Sequence, residues 1–215
     1  MKNVAVILAG CGVYDGSEIN EAILTLLHIA KNGATYQCFA PDIEQLHTVN
    51  HLTGEVMTDK RNVLTEAARI ARGEVKSLIE LDITQFDALI VPGGFGAAKN
   101  LCDFAVKGIQ ASINNDVLNA CKAFAQAKKP AGYMCIAPAL IPFIYNNAQL
   151  TIGNDPDTAQ ALSLLGATHI NCEVNNVVID QSNKLVTTPA YMLAQTILDA
   201  DAGIEKLVSS VLAIN

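Results

Sequence analysis

The chain opens on an unbroken apolar run, Val4 to Ala9, set between Asn3 and Gly10. A short apolar run closed by glycine reads as a strand buried on both faces, here over 3–10. From residue 19 the period changes. Ile19, Ala22, Ile23, Leu26, Leu27 and Ala30 recur at helical spacing, with Ser17 ahead as N-cap and Asn32-Gly33 behind as the stop. Residues 35–40 are rich in β-formers, so a β-α-β unit with parallel pairing follows. The same rules predict a helix over 62–72 ending at Gly73, a short strand over 75–79 and a buried strand over 88–92. They predict a helix over 116–128, with Val117, Leu118, Cys121 and Phe124 inward, a strand over 131–134 and a helix over 136–144. A helix over 157–165, a hairpin of 177–180 with 184–187 around Ser182-Asn183, and helices over 191–200 and 204–213 complete the chain. Residues 41–57 show no period. Long loops in compact domains are often functional, and this one carries His47, Asn50, His51, Thr53, Gly54 and Glu55.

No linker, repeat or low-complexity tract interrupts this alternation. It predicts one α/β domain over 1–215: a flavodoxin-like, doubly wound, mostly parallel sheet with helices on both faces. Such sheets bind ligands at the carboxyl ends of their strands. The loops after strand one, after Val91 and after Met134 are therefore expected to converge.

Composition narrows the partners. Of 215 residues, 51% are apolar and 16% charged, which excludes a disordered chain. The net charge of −7, without a Lys/Arg cluster, argues against nucleic acid or an anionic membrane. Six cysteines show neither C-x-x-C nor a zinc spacing, so no metal or other cofactor is expected. Free thiols in a domain of this size point to a reducing compartment, and a cytoplasmic protein is the expectation. Leu8-Ala9-Gly10-Cys11 has the form of a lipoprotein cleavage site, but the six-residue apolar run before it is too short for a signal segment. The uncharged run over 130–154 is broken by Pro138, Pro142, Asn146 and Asn147, and its apolar part is too short to span a bilayer.

Cys135 carries the strongest chemical signal. It follows a short strand and precedes Ile136-Ala137-Pro138, so it stands at a helix start, where the partial positive charge favours thiolate. The arrangement is similar to a nucleophile elbow with Cys in place of Ser, although a small buried Cys is the commonest fate of the residue. Gly93-Gly94-Phe95-Gly96 follows another buried strand, where glycines let backbone N–H groups approach an oxyanion. Neither a dinucleotide fingerprint nor a phosphate-binding G-K-[ST] is present. Glu18, beside the Ser17 cap, faces the same crevice in this fold. It can serve as general base or simply complement a helix dipole. His47 and His51 have i,i+4 spacing but no third ligand, and His51 alone can reach the pocket from its long loop. Cys11 and Lys99 are further pocket candidates, each equally readable as a buried thiol and a solvated cation. No His follows Cys135 until His169.

Several blocks then read together. They are Cys11-Gly12-Val13-Tyr14-Asp15-Gly16-Ser17-Glu18, Asn50-His51-Leu52-Thr53-Gly54-Glu55, Val91-Pro92-Gly93-Gly94-Phe95-Gly96-Ala97-Ala98-Lys99-Asn100-Leu101, Tyr133-Met134-Cys135-Ile136-Ala137-Pro138 and Thr187-Thr188-Pro189-Ala190-Tyr191-Met192. In this order they resemble the glyoxalase ElbB family. Its members are also described as isoprenoid biosynthesis proteins with an amidotransferase-like domain, within the ThiJ/PfpI, class I glutamine amidotransferase-like superfamily. The resemblance covers essentially the whole chain. It implies that Cys135 is the nucleophile and Glu18 the acid beside it, and that Gly93, Gly94 and the N–H of Ile136 form the oxyanion pocket. One departure matters. Amidotransferase relatives carry a His just after or downstream of the Cys, whereas here Ile136 follows and the downstream region reads Gly153-Asn154-Asp155. The usual general base for glutamine hydrolysis is missing.

The resemblance implies a modest, glutathione-independent glyoxalase, a lyase that converts a small dicarbonyl such as glyoxal to glycolate through a Cys135 hemithioacetal. Glycated groups are a related substrate. Glu18 is the expected base and His51 its rival. The other class of function is a stress, redox or interaction protein linked to isoprenoid metabolism, with Cys135 as an oxidation sensor. A glutaminase subunit ranks third. A homodimer is implied by analogy with the relatives.

Overall fold

A computed structural model describes residues 1–214. Seven strands form one sheet: β1 (Asn3–Ile7), β2 (Thr35–Ala40), β3 (Val75–Ser77), β4 (Ala88–Val91), β5 (Ala131–Met134), β6 (Val178–Asp180) and β7 (Leu185–Thr188). Their spatial order is β6-β7-β5-β4-β1-β2-β3, and every pairing is parallel except β6 with β7. The chain winds outward from β1 through β2 to β3, then returns to the other side of β1 as β4. The switch in winding direction therefore falls between β1 and β4, where a doubly wound sheet opens a crevice.

The longer helices are α1 (Ile19–Lys31), α2 (Val63–Ile70), α3 (Asn115–Gln126), α4 (Pro156–Leu164) and α5 (Ile197–Ala213), with a single α-helical turn at Phe104–Lys107. Side-chain alternation divides the core in two. Val4, Val6 and Leu8 face α1, α2 and α5, through Ala22, Ile29, Val63, Ala67, Ile204 and Leu207. Ala5 and Ile7 face the opposite layer, with Phe124 of α3 and Leu162 of α4. Burying a side chain such as Ile7 or Leu89 contributes about 1.5–3 kcal/mol. The all-apolar central strands of the sequence are thus strands covered on both faces.

Four expectations need correction. The N-cap of α1 is Glu18; the Ser17 hydroxyl instead accepts from the Ala9 N–H at 2.8 Å. The solvent face of α1 holds Ile19, Ile23 and Leu27, each over 40% exposed, while Glu21, Thr25 and His28 are buried. The predicted helix over 136–144 is a 3-10 helix, Ala137–Phe143, with Pro142 in its interior, where an α-helix would need a donor. The predicted helix over 191–200 starts as a separate 3-10 turn, Ala190–Met192, and its last part joins 204–213 in one helix, α5, begun by a Thr196/Asp199 capping box. It runs on through Gly203, where a Cβ would collide with the carbonyl of Val174. The long 41–57 stretch carries a small antiparallel ribbon, Thr48–Val49 with Val56–Met57.

Candidate active site

The loops after β1 and β4 zip together across the switch point. Glu18 N–H donates to Gly93 O at 3.0 Å, Phe95 N–H to Val13 O at 2.8 Å and Gly96 N–H to Gly16 O at 2.9 Å. Asn100 locks the same corner. Its amide donates to Ala9 O and Asp15 O, and its oxygen accepts from the Leu46 N–H, tying down the long loop. This approach of two backbones requires glycine. A Cβ on Gly94, which sits at φ +90°, would run into the Glu18 nitrogen.

Cys135 leaves β5 with φ +59°, a left-handed conformation uncommon for a side-chain-bearing residue. Its N–H donates to Thr188 O at 3.0 Å, which fixes the turn against β7. The thiol is buried, and the nearby N–H groups of Gly94 and Ile136 favour its thiolate. The elbow thus aims sulfur at the crevice.

The carboxyl that, after burial, raises that thiol belongs to Glu21, where the sequence pattern pointed to Glu18. Glu21 is fully buried on the inward face of α1. Its Oε2 accepts from the Gly93 N–H at 2.9 Å and its Oε1 from the Tyr191 N–H at 3.1 Å. Burial drives its pKa up to about 8; the Glu18 charge adds to the rise, and the N–H donors of Tyr191 and Gly93 oppose it. Burial, then the Glu21 charge, also raises the Cys135 thiol above the ordinary range, against the pull of the Gly94 and Ile136 donors. The pair accommodates one negative charge at most. The expected donor set of Gly93, Gly94 and Ile136 is corrected accordingly: the Gly93 N–H is committed to Glu21.

Glu18 lies one turn earlier. Its Oε2 accepts from the Glu21 N–H at 2.7 Å, and it lines a cavity of about 400 Å³ together with Cys135. Apolar walls come from Val13, Phe95, Ile136, Tyr191 and Met192, with Asp155 and Thr158 at the start of α4. His51 is outside this lining. Its Nδ1 faces Val49 O at 3.0 Å and its Nε2 accepts from the Tyr14 N–H at 3.3 Å, so it ties the long loop to the β1 loop. Lys99 reaches Tyr14 O at 2.9 Å and lies over the Phe95 ring. Cys11 sits elsewhere, near Glu66, Arg69 and Arg61, with its thiol raised by burial. His169 receives the Ile152 N–H at 3.3 Å. Among the described residues, no group of three or more His, Cys, Asp or Glu comes together to hold a metal ion. No described helix is long and apolar enough to cross a membrane.

A cysteine elbow beside the switch of a flavodoxin-like sheet, with a buried carboxylic acid next to it, defines an amidotransferase-like α/β protein. No family model matches the chain. A human protein named glutamine amidotransferase-like class 1 domain-containing protein 3, mitochondrial, is 44% identical over 98% of this chain and 82% of its own length. The rat ES1 protein homolog, mitochondrial, is 43% identical over 98% of this chain and 83% of its own length. A crystal structure of an isoprenoid biosynthesis protein with an amidotransferase-like domain from Ehrlichia chaffeensis superposes with a TM-score of 0.92. It is 36% identical and covers 99% of this chain and 98% of its own. Glyoxalase III from Candida albicans, at 14% identity and a TM-score of 0.64 over 99% and 97% of the two chains, shares the fold. The chain belongs to the glutamine amidotransferase-like class 1 domain family that includes the ES1 proteins. The cytoplasmic expectation is overturned by these relatives, which are named mitochondrial.

Proposed function

We propose that the chain is a cofactor-independent glyoxalase that isomerises and hydrates small dicarbonyls such as glyoxal at Cys135. The observation that supports this is the Cys135–Glu21 pair, held at a strained elbow beside the Gly94 and Ile136 N–H donors. Sulfur adds to one aldehyde carbon, and the proton of the pair passes through Glu21 to the new oxygen, giving a hemithioacetal. Glu21, now carboxylate, removes the C–H proton of that carbon. The electron pair moves into an enediol, and the proton returns to the neighbouring carbon. The product is a thioester in which one carbon has been oxidised and the other reduced, with no external oxidant. Water then attacks the acyl carbon, releasing glycolate and the thiol. A base with a pKa near 8 suits this proton shuttle at mildly alkaline pH. The Gly94 and Ile136 N–H groups serve the developing oxyanion. The fold shared with Candida albicans glyoxalase III is consistent with this chemistry.

The test is glycolate formation from glyoxal over many equivalents, without glutathione. Cys135→Ser should abolish turnover, and Glu21→Gln should lower it by roughly 10²–10⁴. Equal rates in the wild type and Cys135→Ser would end the proposal. Consumption of a single equivalent would favour a sensing thiol instead.

A further inference from the structure

The cavity over Cys135 is lined by two carboxyl side chains, Glu18 and Asp155, and by no basic one. Each is the N-cap of a helix, Glu18 of α1 and Asp155 of α4. Two helix N-termini at a pocket would ordinarily attract anions, each carrying a partial charge of about +0.5. A carboxylate cap reverses that sign. Asp155 Oδ1 accepts from the Thr158 N–H at 2.8 Å, and the Thr158 hydroxyl and N–H keep its carboxyl below the usual range, so it is ionised at neutral pH. The cation on the neighbouring loop, Lys99, is spent on Tyr14 O and the Phe95 ring. Nothing in the lining offers an ion pair to a substrate carboxylate.

We infer that Glu18 and Asp155 make this cavity selective for uncharged or cationic carbonyl compounds and turn away anionic ones. The inference rests on the reading of Cys135 as the reactive nucleophile. It favours glyoxal over glyoxylate, an aldehyde of similar size with a negative charge. It also leaves the α-carboxylate of free glutamine without a partner.

Alkylation of Cys135 tests charge selection apart from glyoxalase turnover. Iodoacetamide and iodoacetate both form an S–C bond with loss of iodide, the thiol proton going to solvent, and differ chiefly in charge. Their rates at Cys135, read by mass spectrometry of its peptide, are normalised to those of N-acetylcysteine at the same pH. The preference for the neutral reagent should be about tenfold greater at Cys135 than at N-acetylcysteine, the scale of partly screened repulsion from two carboxylates. Asp155→Asn and Glu18→Gln should each lower that preference, as should high salt. A normalised ratio near one in the wild type, a ratio unmoved in both variants, or no alkylation of Cys135 by either reagent would overturn the inference. A high ratio without glyoxal turnover would remove the glyoxalase reading and leave charge selection standing. Glyoxal turnover with a ratio near one would do the reverse.

Discussion

Glu21, fully buried on α1, lies beside the Cys135 thiol while its two oxygens accept from the Gly93 and Tyr191 N–H groups. The carboxyl is therefore both a chemical partner of sulfur and a joint between α1, the β4 loop and the turn after β7. An ionisable group stands where ionising it is costly, a feature that is common at functional sites.

That cost has a pH signature. An unfolded Glu releases its proton near 4.5, whereas folded Glu21 holds it to about 8. Between those values the folded state binds a proton that the unfolded state has lost. Stability from this group is therefore greatest below about 4.5 and falls as pH rises to about 8. At 1.36 kcal/mol per unit, the loss amounts to a few kcal/mol. Glu21→Gln should remove this slope. Urea unfolding of both proteins at pH 5, 6.5 and 8 measures it. The slope is the readout rather than the absolute stability, because the Gln amide nitrogen would face one of the two N–H donors. Parallel pH curves would show that Glu21 does not carry the shift.

Gly93 tests the packing of the same joint. A Cβ there would collide with the Cβ of Cys135 and approach Glu21 Oε2 to 2.7 Å and Met134 O to 2.9 Å. Gly93→Ala should cost about 1–3 kcal/mol as overpacking and should change the alkylation rate of Cys135 by more than it changes that of Cys172. Gly54, at φ +76° with open space around it, is the control. Gly54→Ala should cost about 1 kcal/mol from backbone strain alone and leave Cys135 untouched. Similar effects of the two substitutions on Cys135 would argue against a tight Gly93–Cys135–Glu21 joint.

The β-α-β alternation was readable because the central strands are largely apolar, and a strand running into Cys135-Ile136-Ala137-Pro138 announced the elbow. Glu21 was harder to see. Glu18 at the N-cap and Glu21 in the first turn of α1 both stand where acidic residues complement the dipole, so type and position alone do not separate cap from partner. The available signal was Glu21's place on the face shared with Ala22, Thr25 and Ile29, opposite Ile19 and Ile23. The apolar positions of α1 misled for a related reason. Its buried face contains Glu21, Thr25 and His28, each bonded to a partner that the apolar pattern does not reveal, His28 through Nε2 alone. The compartment was misjudged because free thiols indicate redox conditions rather than an organelle.

His28 shows how such a polar core residue is held. Its side chain is 1% exposed, and Nε2 meets Asp201 Oδ1 of α5 at 2.7 Å. Asp201→Ala strands a buried imidazole nitrogen and should cost about 1–3 kcal/mol. Asp201→Asn retains an acceptor and should recover most of this. The exposed pair Lys60–Glu44, at 2.8 Å, is the comparison; Lys60→Ala should cost no more than about 1 kcal/mol. Urea midpoints for the three variants decide the matter. Equal losses at Asp201 and Lys60 would mean that the buried bond does not anchor α1 to α5.

The outward face of α1 gives the opposite expectation. Ile19, Ile23 and Leu27 stand at i, i+4 and i+8 and are 45%, 44% and 43% exposed, so their apolar character adds little to the core of a single chain. Ile23→Gln and Leu27→Gln should each change the unfolding free energy of the monomer by no more than about 0.5 kcal/mol. Leu26→Ala, on the buried side at 7% exposure, should cost about 2–5 kcal/mol. Denaturant unfolding at low protein concentration separates the two faces. Concentration-dependent losses for Ile23→Gln and Leu27→Gln would mean that a second molecule covers this stripe. Concentration-independent losses as large as that of Leu26→Ala would instead contradict the outward placement of α1's isoleucines.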